Sequence, residues 1–196
     1  MLVEETVVTD AALPVSVFRD HLRLGTGFAE DGLQDGLLTG CLRAALASIE
    51  AQTGKVLLAR QFSVTVTEAP RGAVYDFGVA PVSAVTALVQ IDANGAETAL
   101  DPAGYRLVQD AHAPRLAPHP DVPHRGVVKI TFEAGLGATW AALPGDLAQA
   151  VLMLAAHFYE TRTASGAGAV EPLPYGVNAL IARHKRLRLT AGRKWS

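Results

Sequence analysis

The strongest helical pattern of hydrophobic positions lies between residues 144 and 162. Pro144 and Asp146 favour a helix start there, because proline fits a first turn and a carboxylate stabilises its positive end. Two sets of apolar side chains then recur at intervals of three and four residues. They are Leu147, Val151, Leu154 and Phe158 on one face, and Ala148, Leu152, Ala155 and Tyr159 on the other. Such a helix is expected to be central in its own domain, to contact another subunit, or both.

Two more helices are predicted in the first part of the chain. Residues 14–24 favour a short helix that turns Val17 inward, together with Leu22 and Leu24. A longer helix is predicted over 30–53, with Gly54 as its C-terminal stop. Within it, small residues recur at every fourth position: Gly32, Gly36, Gly40, Ala44 and Ser48. Such a row lets another backbone approach closely, and the alternative is a frayed or broken first half of this helix.

A region of β-strands follows, because apolar and polar residues alternate from Val56 onward. Residues 92–95 predict a hairpin turn between 85–91 and 97–100, since Asn-Gly suits the positive φ angles of tight turns. Strands are also predicted at 73–77, 82–91, 105–108 and 127–133. The Pro- and His-rich segment between the last two strands is typical of an ordered, irregular loop. The order of helices, strands and helices indicates an α+β fold with a central antiparallel β region.

The C-terminal part is predicted to be a hinged tail. Residues 163–168, TASGAG, are typical of a flexible joint, and a last helix is predicted from Tyr175 to Leu189. We therefore expect a main domain at 1–163, a joint at 164–174, and a basic helix and tail at 175–196.

Charge divides the chain near the same point. The net charge is only −2, but six of the 17 Lys and Arg residues lie from Arg183 onward, where there is no acidic residue. The rest of the chain is acidic. This basic end has three interpretations: a tail that docks through apolar anchors and arginines, a nucleic-acid-binding element, or a solvated helix end whose dipole favours cations.

Size and cysteine usage exclude several classes of protein. A chain of 196 residues that is 49% hydrophobic is long enough to bury a substantial core. Cys41 is the single cysteine, so there is no disulfide framework, and its leucine neighbours predict a small buried residue without chemistry. The acidic N-terminus and the lack of an apolar run of about 20 residues predict neither export by the usual route nor a membrane span.

No group of residues in the sequence has the pattern of a catalytic site. His112, His119 and His124 share one loop, but their spacings match no compact metal-ligand pattern. His157 and Glu160 lie three apart on a predicted helix, yet no motif ties a nucleophile to them. Nucleotide-binding and common hydrolase motifs are absent from the sequence. We therefore predict no catalytic residue, no cofactor and no metal; an enzyme that uses the His-rich loop is the alternative.

Several segments, in order, resemble the head–tail connector (adaptor) proteins of long-tailed bacteriophages and of phage-like gene transfer agents. The resemblance covers about 14–162. Its most telling parts are His21-Leu22-Arg23, Ile49-Glu50 through Thr53-Gly54, Pro81-Val82, and Ala156-His157-Phe158-Tyr159-Glu160.

The resemblance implies a structural protein of the particle neck, assembled in the bacterial cytoplasm, with no catalytic residues. It implies a ring, of twelve copies, seated beneath the portal protein and joined on its other face to a stopper or tail-terminator protein. DNA is expected to pass through the ring without sequence-specific recognition. A soluble nucleic-acid-binding protein that uses the basic tail is a second alternative.

The ring gives the unusual surface features an expected role. The two-faced helix and the row of small residues become candidates for contacts between neighbouring subunits. The subunit-interface candidates are Gly32, Gly36, Gly40, Leu152, His157 and Tyr159. The resemblance also implies that the C-terminal segment engages the portal. The portal-docking candidates are Arg183, Lys185, Arg186, Leu187, Arg188, Leu189 and Trp195.

Overall fold

In chain order, most of the strands lie between a first pair of helices and a second pair. The structure is a computed structural model that describes residues 1–24, 34–67, 74–119, 127–162 and 173–185. Within this part of the chain the helices are α1 (Val15–His21), α2 (Asp35–Thr53), α3 (Gly145–Thr161) and α4 (Tyr175–Ile181). The strands are β1 (Leu2–Glu4), β2 (Arg60–Val66), β3 (Tyr75–Asp76), β4 (Val82–Ile91), β5 (Glu97–Ala99), β6 (Tyr105–Val108), β7 (Arg115–Pro118) and β8 (Val127–Ala134). This arrangement confirms the predicted α+β class.

The strands form two antiparallel sheets that share one hydrophobic core. The larger sheet has the order β1-β2-β8-β4-β5 and the smaller sheet the order β3-β7-β6. Phe132 on the central strand β8 lies opposite Phe62 on β2 and Val85 on β4. Its ring centroid is 4.6 Å from that of Phe77, which follows β3. Alternate residues of the strands thus fill the space between the sheets, as expected when one face of each sheet is buried.

The helices form a second core beside the sheets. Its centre is the packing of α2 against α3, where Leu38, Leu42 and Ile49 of α2 are completely buried. Phe18 of α1 is also completely buried in this cluster. The buried residues of α3 in this cluster are Leu147, Ala150, Val151, Leu152, Leu154 and Ala155. They come from both predicted apolar faces, whose other members, Phe158, Ala148 and Tyr159, are partly buried.

The end of α2 contacts the loop between β6 and β7. Gly54 ends α2 in the left-handed conformation, with φ of 67°, as predicted. The next residue, Lys55, is 5% exposed, and its ammonium donates a hydrogen bond to the carbonyl of Ala111 in the loop between β6 and β7. Burial lowers the pKa of Lys55, while the charge of Asp110 acts in the opposite direction. The end of α2 is thereby tied to the smaller sheet.

Two strands were not predicted. β7 lies in the segment that was predicted to be an irregular loop, and it is the middle strand of the smaller sheet. Pro118 within the strand and Pro114 just before it hid β7, because proline weakens any strand prediction. β1 lies in the N-terminal segment, for which no element was predicted, and pairs with β2.

The first and last helices differ from their predictions. Val17 is 46% exposed, and the neighbouring Phe18 takes the inward position on α1. The last helix was predicted to reach Leu189, but α4 ends at Ile181 and a 3-10 turn follows over Ala182–His184. Lys185 is extended, with ψ of 137°, so the α-helix does not continue through it.

The predicted hairpin between β4 and β5 is present, with a different turn. β4 pairs with β5 in antiparallel register, and Gly95 has a positive φ of 82°. Asn94 does not share that conformation. Instead, the carboxylate of Asp92 accepts hydrogen bonds from the backbone N–H groups of Asn94 and Ala96, at 2.8 Å each. The Asp92 side chain therefore stabilises the turn, a role that was expected of Asn94 and Gly95 together.

Candidate assembly surfaces

One exposed side of α2 carries small residues. Gly36 and Gly40 are exposed, and a Cβ atom added at either would have no neighbouring atom within 4 Å. Both are helical, so neither needs glycine for its backbone conformation, and each lowers helix stability by about 1 kcal/mol relative to alanine. Nothing inside the described chain explains these glycines. Gly32, the third member of the predicted row, lies outside the described residues.

A cleft of about 590 Å³ opens over these two glycines. It lies between the first turns of α2, the start of α1 and the N-terminal segment. Its lining residues are Asp10, Ala11, Val15, Asp35, Gly36, Thr39, Gly40 and Arg43. Arg43 donates to the Asp10 carboxylate and to the carbonyl of Val8, which fixes the N-terminal segment at one side. The cleft thus combines a floor of small residues with a charged rim.

The three candidates on α3 differ in how much they present to the surface. Leu152 is 7% exposed and packs in the chain's own core, which leaves little of it for a neighbour. His157 and Tyr159 are half-buried near the end of the helix. The guanidinium of Arg162 lies 4.1 Å from the centroid of the Tyr159 ring and also donates to the Tyr159 carbonyl. This end of α3 presents aromatic surface that is already held in place.

The first part of the predicted tail packs onto the helical core. Val177 and Ile181 of α4 are completely buried against it. Gly176 allows close approach, because a Cβ there would come within 2.7 Å of the Met153 methyl group. The portal-docking candidates Arg186, Leu187, Arg188, Leu189 and Trp195 all lie outside the described residues.

The two described portal-docking candidates have partners within the chain. Arg183 Nε donates to Asp146 Oδ2 at 2.7 Å, and its side chain is 71% exposed. Lys185 Nζ donates to Asn178 Oδ1 at 3.2 Å. The sequence identified Asp146 only as a helix-start residue, and no spacing signal links it to partners 37 and 38 positions away.

Several exposed apolar side chains of the described residues were also missed as surface candidates. Tyr175, at the first position of α4, is 89% exposed, and Val7 is 73% exposed. Val17 and Leu37 are exposed on α1 and α2. Single exposed apolar residues are common on protein surfaces, and their sequence context gives no signal that separates them from core residues.

The described residues give little support to a catalytic or metal site. No three His, Cys, Asp or Glu side chains come together as metal ligands within the ranges that the structure covers. His112 and His119 are exposed, and His124 lies outside those ranges. Cys41 is 8% exposed, as predicted, and burial raises the pKa of its thiol. Across the same ranges, none of the helices has the length and apolar content needed to cross a membrane.

Comparison with solved structures places the chain among particle components. It is 49% identical to a chain of the neck of an empty gene transfer agent particle, computed with C6 symmetry. The match covers 98% of this chain and 99% of the other, with a TM-score of 0.85. The chain belongs to the neck proteins of gene transfer agent particles.

Two further structures support the same family of neck proteins. The chain is 48% identical to a chain of the virion of a native gene transfer agent particle, with a TM-score of 0.83. It is 45% identical to a chain of the neck of a native particle computed with C12 symmetry, with a TM-score of 0.80. Each match covers 98% of this chain and 99% of the other. No protein-family model and no curated protein sequence matches it.

Membership of this neck family changes how the surfaces are interpreted. The matches are to particle components, and they give no link to an enzyme family. The glycine-floored cleft on α2, the aromatic end of α3 and the basic C-terminus are therefore candidates for contact surfaces of a neck protein.

Proposed function

We propose that this chain is the adaptor that joins the capsid of a gene transfer agent particle to its tail. Twelve copies form a ring beneath the portal protein, and the other face of the ring contacts the stopper or tail-terminator protein. The observation that carries the proposal is the similarity, over nearly the whole length of both chains, to neck chains in assemblies computed with C12 and C6 symmetry.

A closed ring needs two different contact faces on every subunit. Gly36 and Gly40 supply one candidate face, since a neighbouring backbone can approach α2 closely over them. His157 and Tyr159 at the end of α3 supply a candidate for the second. Gly32 extends the first face by sequence, and Leu152 supports the second from within the core. In this proposal the cost of two helical glycines is offset by the subunit contact.

The basic C-terminus is proposed to dock on the portal protein. Leu187, Leu189 and Trp195 would provide apolar anchors, while Arg186 and Arg188 pair with carboxylates at the rim of the binding groove. Arg183 would contribute to portal docking through the exposed part of its side chain. Lys185 is the last described residue before this segment.

DNA is proposed to pass through the ring without base-specific contacts or chemistry. The chain before Arg183 has 11 basic and 19 acidic residues, so this body has no excess of phosphate-binding charge. In this proposal the protein is a structural component without a catalytic step, a cofactor or a metal.

The test is to image the neck of particles that carry this chain. Cells that produce the particles would express the chain with an affinity tag, and the neck would be reconstructed by cryo-electron microscopy without imposed symmetry. We expect twelve copies in one ring, between the portal and the next neck component. The absence of the chain from particles, or its location away from the capsid–tail junction, would contradict the proposal.

A further inference from the structure

Asp146 at the start of α3 contacts Arg183 and His184, which follow α4. This three-residue contact is called the clasp. Asp146 lies in the first turn of α3, and its Oδ2 atom accepts hydrogen bonds from Arg183 Nε at 2.7 Å and His184 Nε2 at 2.6 Å. Both nitrogens therefore lie against one oxygen, and they are 3.1 Å apart. The other oxygen, Oδ1, accepts the backbone N–H of Leu147 at 3.0 Å. Both carboxylate oxygens are therefore engaged.

Burial distinguishes the two partners of Asp146. The side chains of Asp146 and His184 are 17% and 16% exposed, whereas that of Arg183 is 71% exposed. Exposed ion pairs contribute little, so the His184 contact is the stronger restraint. Burial raises the pKa of Asp146, but the hydrogen bonds from His184 and Arg183 outweigh it and the pKa lies below its ordinary value. The charged carboxylate is thus the form that the site favours.

The clasp closes a short antiparallel pair of helices. Gly176, at the start of α4, lies against Met153, two turns into α3, while His184 lies against Asp146 at the start of α3. Asn178 joins the two ends of the α4 segment, because it donates to the carbonyl of Leu173 and accepts from Lys185. The chain up to Lys185 is therefore held at both ends.

We propose that Asp146 is a positioning residue that fixes the point from which the basic C-terminal segment, residues 186–196, starts. The inference rests on the proposed docking of that segment on a neighbouring neck component. A tail that starts from a fixed point loses less conformational freedom when it docks than one whose base is free to move. The acidic partner inside the chain also gives Arg183 and His184 a role separate from docking.

The first test is hydrogen exchange on the full chain. We expect Asp146→Asn to raise exchange in peptides that cover 175–185 about tenfold, because a charge-assisted contact is lost. Asp101→Asn is the matched control, since that carboxylate also accepts a backbone N–H but lies in the β region. Unchanged exchange at 175–185 in Asp146→Asn would overturn the proposal.

A second pair of variants separates positioning from general destabilisation. His184→Gln retains an N–H donor on a side chain of similar reach, and it should keep the protection of 175–185. His184→Ala removes the donor and should lose that protection. The thermal unfolding midpoint of each variant checks that the chain is folded. Equal exchange in the Gln and Ala variants would show that the hydrogen bond to Asp146 is not the restraint.

Particle assembly then tests the purpose of the clasp. We expect both Asp146→Asn and a truncation after Lys185 to reduce the yield of particles with complete necks, while Asp101→Asn leaves the yield unchanged. If truncation lowers the yield and Asp146→Asn does not, the clasp proposal fails and tail docking stands. If truncation has no effect, the proposed docking role itself fails, and with it any positioning role for Asp146.

Discussion

Arg60 is the most extensively paired charged residue in the described chain. Its guanidinium donates to both oxygens of Glu50 and to the Glu4 carboxylate, and its side chain is 9% exposed. Glu50 also accepts the backbone N–H of Leu57, so the pair links the N-terminal strand, α2 and the start of β2. Removal of one partner leaves an uncompensated charge in a poorly solvated place.

Arg60→Ala should therefore lower the free energy of unfolding by about 3 kcal/mol. The matched control is Arg43→Ala, whose side chain is 41% exposed and whose partner Asp10 is 73% exposed. That substitution should cost less than about 1 kcal/mol. Urea denaturation of both variants measures the difference. Similar losses in the two variants would contradict the importance assigned to burial.

Gly135 is a position where the backbone requires glycine. Its φ is 153°, and a Cβ there would lie 2.3 Å from the Cα of Ala59, where the two cores meet. The atom in the way is backbone, which cannot rotate aside. Gly135→Ala should therefore cost more than about 2 kcal/mol of stability. Gly145→Ala is the control, because that site has no atom within 4 Å, and its effect should stay within about 1 kcal/mol. Thermal unfolding distinguishes the two, and equal midpoints would show that the contact relaxes easily.

Residues with local physical causes were predictable from the sequence. Gly54 and Cys41 behave as expected, because a helix end and a leucine-rich helix are encoded within a few positions. The roles of Asp146, Lys55 and Gly135 were not predictable, since each depends on a partner far along the chain. Spacing rules carry no information about such contacts.

At the scale of elements, hydrophobic periodicity predicted whether a segment is a helix or a strand better than it predicted where the element begins and ends. α2 and α3 were located well because each has several turns of amphipathic pattern. β7 was hidden by Pro118 within it and Pro114 just before it, although Leu116 is nearly fully buried in the smaller sheet. The basic residues after Ile181 are good helix formers, so propensity extended α4 too far. The clasp at Asp146 and the extended backbone at Lys185 show that tertiary contacts set the observed limit.

Substitutions at the exposed glycines of α2 should affect the stability of the free chain and the formation of the proposed ring in opposite directions. Gly36→Ala with Gly40→Ala should stabilise the isolated chain by about 1–2 kcal/mol, because alanine favours the helix and both sites are open. Larger side chains should block a neighbour, so Gly36→Leu with Gly40→Leu should prevent ring formation. Gln52→Leu, on another exposed side of the same helix, is the control.

Denaturation measures the first effect, and the completeness of necks in purified particles measures the second. Normal necks with the double leucine variant would exclude this face of α2 from the subunit contact. A loss of stability in the double alanine variant would mean that the glycines serve the fold of the single chain.

At the scale of the whole molecule, the pairing of the strands explains why the sequence predicted the fold class but not the arrangement of the sheets. The order of helices and strands is visible in the period of the hydrophobic pattern. The division of the strands into two packed sheets depends on which strands pair across long stretches of chain, and the same pattern is compatible with other pairings. The contact faces stay a prediction, because a surface contact between subunits need not carry a periodic signal.

The proposed ring of twelve subunits, each with two different contact faces, should be very sensitive to a subunit that offers only one. Co-expression of wild type with the Gly36→Leu, Gly40→Leu variant supplies such subunits, because the second face at the end of α3 is intact. If one chain in ten is variant and incorporation is random, only about 0.3 of the rings contain no variant, since twelve sites must all be wild type.

The yield of particles with complete necks should then fall to roughly a third, far below the nine-tenths expected if chains acted singly. Co-expression with Gln52→Leu at the same ratio controls for dilution of the wild-type chain. Quantitative mass spectrometry of the cell extract fixes the ratio, and electron microscopy counts the necks. A yield that falls in simple proportion to the variant fraction would contradict a closed ring in which both faces of every copy are used.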